Sequence, residues 1–148
     1  MKNGDSSKNH FFLREFDFRL NINSHLAPRK PNYMEDLIRE ASVHTPHIHF
    51  SKKTGQMVIK GRSIPDDPEK FWSSIVTWFD LYLQDPHPET EFQIDLEYFN
   101  ISSSKRILFL LYKLNEITEK GYNAKVKWFY KESDEDMFEV GQDYAFMV

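Results

Sequence analysis

The sequence predicts a single α/β domain in which about three helices pack on a small mixed β-sheet. Three patterns lead to this fold class: a β-hairpin signature, an amphipathic helical stretch, and a strand, a helix and a second strand in succession. A strand–helix–strand succession forms a right-handed crossover between parallel strands, whereas a hairpin joins antiparallel strands. The sheet is therefore expected to combine both kinds of pairing.

The β-hairpin is the first strong pattern along the chain. Ile48 and Phe50 alternate with polar residues before the turn Lys52-Lys53-Thr54-Gly55, and Met57 and Ile59 alternate after it. Gly55 can supply the positive φ that a tight turn requires. We therefore predict two antiparallel strands joined at this turn.

The next element is predicted to be a helix that packs against the sheet. Asp66 or Asp67 is a candidate N-cap, Pro68 suits the first helical position, and the proline after Asp85 ends the helix. An apolar stripe recurs at helical spacing: Phe71, Trp72, Ile75, Val76, Trp78 or Phe79, and Tyr82. A stripe of this kind is typical of a protein core rather than of a cofactor site, and we expect no cofactor.

The second half of the chain predicts the parallel part of the sheet. Alternation over Phe92–Phe99 indicates a strand, and helical spacing over Ser103–Lys120 indicates a helix that ends at Gly121. A second alternating stretch, Asn123–Tyr130, completes the predicted right-handed βαβ unit. A short final helix is indicated by four apolar residues: Met137, Phe138, Val140 and Tyr144.

The beginning of the chain is predicted to lie outside this domain. Residues 1–33 are interpreted as an N-terminal extension of uncertain order, and residues 34–148 as the domain. Within the extension, the alternation over Phe16–Ile22 indicates either an edge strand or an adaptable tail that pairs only in some contexts, and Ser24–Asn32 is typical of a linker. Leu37–Thr45 gives weak signals of either kind and receives no assignment.

Composition excludes several classes of function. The 148 residues carry a net charge of −4 and a pI near 5.9, so electrostatics gives no argument for binding nucleic acid or an anionic membrane. The absence of cysteine excludes disulfides and thiol nucleophiles and fits a reducing compartment. No apolar stretch reaches membrane-spanning length and the N-terminus lacks a secretion signal, so we expect a cytoplasmic protein that binds no membrane.

The stretch with the most chemical character joins the central strand to its helix: Asn100-Ile101-Ser102-Ser103-Ser104-Lys105. The first turn of a helix leaves backbone N–H groups unpaired and carries the positive end of the helix dipole. Ser102 or Ser103 can cap that turn, and either hydroxyl can instead carry a phosphate placed against the N–H groups. The residue types leave both interpretations open.

Other polar clusters give weaker indications. Three histidines lie in and before the hairpin: His44, His47 and His49. They have no carboxylate or cysteine at a ligand spacing, so surface histidines explain them better than a metal site does. Asp95, Glu97 and the cluster Asp134–Asp136 are the candidates for a carboxylate-dependent enzyme, but no histidine or lysine partner lies at a suitable spacing. We therefore assign no catalytic and no metal-binding residues.

Several motifs, in order, resemble one protein family. They are Thr45-Pro46, Ile59-Lys60-Gly61-Arg62-Ser63-Ile64-Pro65, Tyr98-Phe99-Asn100-Ile101-Ser102-Ser103-Ser104-Lys105, Trp128-Phe129-Tyr130 and Asp134-Glu135-Asp136-Met137. Together they closely resemble the SiaC family of bacterial regulatory phosphoproteins. The resemblance covers most of the chain, from about Leu37 to Tyr144.

The resemblance implies a non-enzymatic switch with a STAS-like fold, similar to the anti-sigma-factor antagonists. In the family, a dedicated serine/threonine kinase of the SiaB type phosphorylates the loop at the start of the helix, and a metal-dependent phosphatase of the SiaA type removes the phosphate. The unmodified form binds a partner, which in the best understood pathway is a diguanylate cyclase of cyclic-di-GMP signalling. Carried over to this chain, the partner-binding residues are Asn100, Ile101, Ser102, Ser103, Ser104 and Lys105.

The sequence departs from the family pattern at the phosphoacceptor. The usual loop reads Asn-Thr-Ser-Ser, and the threonine position is Ile101 in this chain. Isoleucine has no hydroxyl to phosphorylate. Either Ser102 or Ser103 takes the phosphate, or the chain is held in its unmodified state, or this regulation does not apply to it.

A second departure lies at the C-terminal end. Relatives usually run on through a short apolar tail after the stretch that resembles Asp143-Tyr144, whereas this sequence stops at Val148. Apolar surface left bare by a missing tail favours self-association, so a homo-oligomer is an expectation. The alternative hypothesis is that residues 1–33, rather than a second copy of the chain, cover that surface.

Three kinds of function follow from the sequence. The first is a protein-binding switch that responds to phosphorylation or is permanently unmodified, and the family motifs favour it. The second is a purely structural interaction module that ignores any kinase. The third is a carboxylate-dependent enzyme, for which convergent catalytic groups are missing from the sequence pattern.

Overall fold

A five-stranded mixed sheet with its strands in chain order forms the frame of residues 33–148, which are the residues that the computed structural model describes. Its strands are β1 (Leu37–Arg39), β2 (His47–Phe50), β3 (Gln56–Ser63), β4 (Glu89–Phe99) and β5 (Asn123–Phe129). The helices are α1 (Pro68–Gln84), α2 (Ile101–Glu119) and α3 (Glu135–Met147). The pairs β1/β2 and β2/β3 are antiparallel, whereas β3/β4 and β4/β5 are parallel, which confirms the predicted mixed α/β fold.

The predicted β-hairpin is confirmed as β2 and β3. Ile48 pairs with Ile59 and Phe50 pairs with Met57, so their side chains share the buried face. Gly55 in the turn has a φ of +72°, and a Cβ atom there would lie 2.1 Å from the carbonyl oxygen of Glu89. Only glycine therefore fits this turn against the start of β4.

Two helical crossovers build the parallel part of the sheet. The predicted βαβ unit of β4, α2 and β5 is present, and β3, α1 and β4 form a second one that the sequence analysis did not identify. Because the parallel strands run in one direction, the carboxyl ends of β3, β4 and β5 lie at one end of the sheet. The start of α2 lies at that end.

The three helices pack on the same face of the sheet. Phe92 of β4 contacts Phe79 of α1, with ring centroids 6.2 Å apart. Ile94 points to that face as well, and it pairs with Trp128 of β5. The ring centroid of Trp128 lies 5.6 Å from that of Tyr144 in α3. The inward side of α2 adds buried residues: Ser103, Ile107, Leu110, Leu111, Leu114, Ile117 and Thr118. The opposite face of the sheet carries no helix from the described part of the chain.

Several element boundaries differ from the predictions. Part of the unassigned stretch forms β1, which Trp78 helps to hold by donating from its indole N–H to the carbonyl oxygen of Glu35 at 2.8 Å. α2 begins at Ile101 rather than at Ser103, and α3 is longer than the predicted short helix. The predicted edge strand Phe16–Ile22 and linker Ser24–Asn32 lie outside the described residues, and the division of the chain at residue 33 stays a prediction.

Candidate partner-binding site at the start of helix α2

Asn100 is the residue that turns strand β4 into helix α2. Its side-chain oxygen accepts from the backbone N–H of Ser103 at 3.0 Å and from the hydroxyl of Ser102 at 2.8 Å. Its own backbone N–H donates to the carbonyl oxygen of Ser63 at 3.1 Å, which ties the turn to the end of β3. The expected cap, Ser102 or Ser103, is therefore wrong: Asn100 caps the helix, because an asparagine side chain in extended backbone reaches the third N–H of the helix.

Ser103 is fully buried and bonded to the neighbouring strand. Its hydroxyl donates to the carbonyl oxygen of Ser63 at 2.9 Å and lies 2.6 Å from the hydroxyl of Ser63. Because one hydroxyl proton is committed to that carbonyl, the hydroxyl of Ser63 supplies the second bond. This closed pair anchors the first turn of α2 and leaves the Ser103 oxygen without access to solvent.

Ser104 connects α2 to α3. Its hydroxyl is hydrogen-bonded to the hydroxyl of Tyr144, and the same tyrosine donates to the carbonyl oxygen of Ser104 at 3.2 Å. Burial raises the pKa of Tyr144 above its ordinary value, although the hydrogen bond with Ser104 opposes the rise. The tyrosine therefore stays neutral at physiological pH and holds α3 beside the first turn of α2.

Ile101, Ser102 and Lys105 remain on the accessible side of this turn. The side chain of Ile101 is 77% exposed, which is unusual for a large aliphatic residue beside a packed core. Ser102 is half-buried, and its hydroxyl donates to the side-chain oxygen of Asn100. Lys105 is exposed and makes no ion pair with any residue between 33 and 148. The accessible part of the site is an apolar tip beside one hydroxyl and one free ammonium group.

A second cation lies on the other side of Ser102. Arg106 is four residues after Ser102 and is ion-paired with Glu69 in the first turn of α1. Residues four apart lie on the same side of a helix, so a phosphate on Ser102 would be within reach of this guanidinium. It would also add to the favourable interaction of anions with the helix N-terminus.

Three of the five acidic residues considered for an enzyme gather in a small cleft at the carboxyl ends of β4 and β5. Asp95, Glu97 and Asp134 line it, and Lys131 joins them. Asp95 also lies 4.0 Å from the ammonium group of Lys60, and Asp134 caps α3 by accepting from the N–H of Met137 at 3.0 Å. Surface ion pairing and helix capping thus account for two of the three carboxylates.

Two of the three histidines near the hairpin, His44 and His49, have separate partners. His49 lies 2.9 Å from a carboxylate oxygen of Asp36, and His44 lies 3.4 Å from one of Asp66. Within residues 33–148, no group of three or more histidine, aspartate or glutamate residues is placed to hold a metal ion. None of the helices in that range is both long and apolar enough to cross a membrane.

Two residues that hold the site together were not predicted as part of it. Ser63 belongs to a motif that supported the family resemblance, but its pairing with Ser103 joins positions 40 residues apart in sequence. Tyr144 was assigned to the core of the last helix, and its hydroxyl also bonds to a residue 40 positions away. No local pattern reports such contacts, because only the packing of α2 against β3 and α3 creates them.

Comparison with known proteins places this arrangement in a family. A family model described as "SiaC family regulatory phosphoprotein" matches residues 39–148. An uncharacterized protein of Pseudomonas aeruginosa strain UCBPP-PA14 is 25% identical over 111 residues, which cover 75% of this chain and 88% of that protein.

Solved structures show the same fold. The crystal structure of apo-SiaC from Pseudomonas aeruginosa has a TM-score of 0.71 at 24% identity, covering 77% of this chain and 93% of that one. A second match is a chain in the crystal structure of the diguanylate cyclase SiaD in complex with its activator SiaC, from the same species. Its TM-score is also 0.71 at 24% identity, and the match covers 75% of this chain and 91% of that one. The family model spans most of the described chain and the fold agrees with it, so the protein belongs to the SiaC family of regulatory phosphoproteins.

Proposed function

We propose that this chain is a non-enzymatic regulatory protein that binds and controls a diguanylate cyclase through the first turn of α2. Its membership of the SiaC family supports this, as does the complex that a fold relative forms with the cyclase it activates. The observation that carries the proposal is the exposure of Ile101, a large apolar side chain in a helix turn that Ser103 and Ser104 anchor to β3 and α3. A partner that covers Ile101 gains hydrophobic free energy without rearranging the chain.

We further propose that phosphorylation of Ser102 reverses this binding. Ser103 is an unsuitable acceptor in the folded protein because its oxygen is buried between α2 and β3. Ser102 keeps an accessible position next to Ile101, which occupies the acceptor position of the family. A phosphate on Ser102 would bring about two negative charges to the edge of the apolar contact, where they must be desolvated when a partner binds.

The phosphate would change the surface rather than unfold the helix. It would lie at the positive end of α2 and within reach of Lys105 and Arg106, which are three and four residues away. Recruitment of Arg106 by the phosphate would compete with its ion pair to Glu69. In this proposal a serine/threonine kinase adds the phosphate and a metal-dependent phosphatase removes it.

Binding and cyclase activity test the first part of the proposal. Each purified diguanylate cyclase of the source organism is titrated with the chain by calorimetry, and cyclic-di-GMP formed from GTP is measured with and without the chain. We expect one cyclase to bind and to change its rate, and the Ile101→Asp variant to lose both effects. Leu81→Asp, a change at a 52% exposed residue of α1, is the matched control and should behave as wild type. Binding that is unaffected by Ile101→Asp would contradict this site.

Mass spectrometry tests the second part. The chain is incubated with ATP, magnesium and the candidate kinase, and the phosphate is mapped. We expect a single phosphate on Ser102 that disappears in Ser102→Ala and persists in Ser104→Ala. A phosphate that appears only after Ile101→Thr would show instead that the kinase reads the turn and that this chain is permanently unmodified. The phosphorylated chain is then titrated with the cyclase by calorimetry, and we expect it to have lost cyclase binding.

A further inference from the structure

The solvent-facing side of α2 carries an apolar stripe that continues from Ile101. Positions 101, 105, 109 and 112 are exposed and lie on one side of the helix, since their spacing of four, four and three residues follows the helical repeat. Ile101, Phe109 and Tyr112 are 77%, 43% and 46% exposed. We call Ile101, Lys105, Phe109 and Tyr112 the α2 stripe. At 1.5 Å per residue it is about 16 Å long, or three helical turns.

The neighbouring helix shows that such a stripe is not required by the fold. α1 packs on the same face of the sheet beside α2, and the exposed positions along its length are mostly polar: Lys70, Ser73, Ser74, Thr77, Asp80 and Gln84. Leu81 is its one large apolar residue that is mostly exposed. Amphipathic surface helices normally direct polar residues to solvent, as α1 does. The exposed apolar residues in the first three turns of α2, before Glu116 and Glu119 on the same side, therefore call for an explanation beyond the stability of the domain.

The charges at the α2 stripe favour one kind of partner surface. Lys105 lies between Ile101 and Phe109 and has no ion-pair partner within residues 33–148. Lys113 lies over the ring of Phe109 at 4.8 Å, but its ammonium group is already paired with Asp80 at 2.5 Å. The stripe thus presents one uncompensated positive charge between apolar side chains. A matching surface has apolar side chains on both sides of a carboxylate.

We infer that the α2 stripe is a continuation of the cyclase-binding site, and that the cyclase covers it with apolar side chains flanking a carboxylate that pairs with Lys105. This inference rests on the proposed function. Continuity supports it, because Ile101 belongs both to the first turn of α2 and to the stripe. Aromatic residues at the centre of an interface contribute most of its binding energy, which assigns the main contacts to Phe109 and Tyr112.

Calorimetry with the purified cyclase tests the inference. Phe109→Ala and Tyr112→Ala are each expected to raise the Kd about tenfold or more. Leu81→Ala, which removes an equally exposed apolar side chain from α1, is expected to change it less than twofold. Thermal unfolding of each variant confirms that the fold is retained.

Lys105→Glu tests the charge without removing packing. This exposed substitution leaves the core untouched, and we expect it to raise the Kd at least tenfold at low ionic strength and to reduce the salt dependence of binding. If wild type binds and Ile101→Asp does not, but the changes at 105, 109 and 112 leave the Kd within twofold, the inference is overturned and the proposed function stands. A wild-type chain that binds no cyclase overturns both.

Light scattering of the chain alone tests whether a second copy of this protein, rather than the cyclase, covers the α2 stripe. We expect the same molar mass for wild type and for Phe109→Ala. A wild-type dimer that dissociates in Phe109→Ala would assign the stripe to self-association instead.

Discussion

Ser102 and Ser103 are adjacent in the chain but have different environments. Successive residues of a helix point about 100° apart, so one hydroxyl faces the rim of the site while the next faces β3. Ser103 is inaccessible and bonded twice to Ser63, whereas the side chain of Ser102, within residues 33–148, bonds only to the cap residue. The motif of three serines therefore combines an anchor, a candidate modification site and, in Ser104, a contact to α3.

Removing the anchor is expected to destabilise the protein. Ser103→Ala deletes a buried hydroxyl and leaves the hydroxyl of Ser63 without its acceptor, so we expect the free energy of unfolding to fall by about 1–3 kcal/mol. Urea unfolding at neutral pH measures the change. Ser102→Ala serves as the control and should lie within about 0.5 kcal/mol of wild type, because Ser102 is only partly buried. Equal losses in the two variants would argue against the buried pair as an anchor.

At the scale of the element, the capping of α2 decides where the candidate site begins. Asn100 uses one oxygen to satisfy both an N–H of the first turn and the hydroxyl of Ser102. These two contacts bracket the helix start, where the side chain of Ile101 is 77% exposed. The cap is thus part of the geometry of the candidate site as well as of the stability of the helix.

The cap can be tested by substitution. Asn100→Ala is expected to lower the free energy of unfolding by about 1 kcal/mol, because an N–H of the first turn loses its acceptor. Asn100→Asp keeps an acceptor and adds a charge that the helix N-terminus favours, so its stability should match or exceed that of wild type. Thermal unfolding distinguishes the two. A similar loss in both variants would mean that the side-chain acceptor is not what stabilises the helix start.

The edge strand β1 depends on pH through Asp36. Burial alone would raise the pKa of this carboxyl, but hydrogen bonds from His49 and Ser51 and the charges of His49 and Lys53 outweigh it and lower the pKa below its ordinary value. The folded state therefore favours the charged carboxylate. Its contribution to stability is complete above the pKa of the unfolded chain and is lost as pH falls through the lower pKa of the folded state.

Substitution of Asp36 should flatten this dependence. Between about pH 5 and pH 2, we expect the free energy of unfolding of Asp36→Asn to fall less steeply than that of wild type. Urea titrations at several pH values give the slope. Glu40→Gln removes a nearby exposed carboxylate, for which the described part of the chain shows no hydrogen bond, and should retain the wild-type slope. A wild-type slope in Asp36→Asn would count against the role of this carboxylate.

At the scale of the whole molecule, one aromatic cluster holds the antiparallel and parallel parts of the sheet to α1. Phe50 of β2 is fully buried. Its ring centroid lies 5.5 Å from that of Phe92 in β4 and 5.6 Å from that of Trp78 in α1. Because this cluster joins elements from both parts of the sheet, its loss should affect the fold as a unit. The site at the start of α2 depends on this frame.

The similarity of the whole fold to the anti-sigma-factor antagonists stays a prediction.

Truncation within the cluster is expected to be severe. Phe50→Ala should lower the free energy of unfolding by about 3–5 kcal/mol, since it removes a buried ring and leaves a cavity. Chemical unfolding followed by circular dichroism measures the loss. Leu81→Ala, at a mostly exposed position, should change it by less than about 0.5 kcal/mol. A small effect of Phe50→Ala would show that the two parts of the sheet are held together by other contacts.

The sequence by itself determined the order and type of most elements, and it also named the candidate site, which stays a prediction. Alternation and helical spacing report which residues are buried, and the turn at Gly55 and the cap at Asp67 depend on neighbours in the chain. Strand β1 escaped prediction because its three residues are too short for a periodic signal. The motif resemblance located the family, and the substitution of isoleucine at position 101 was visible at once.

Only the tertiary structure decided which serine is accessible and what surrounds it. The environments of Ser103 and Ser104 come from Ser63 and Tyr144, each 40 positions away, and sequence periodicity carries no information on such pairs. The outward direction of Phe109 and Tyr112 likewise depends on how α2 is rotated against the sheet. An apolar residue in a helix is expected to be buried, and only the packed structure shows where that expectation fails.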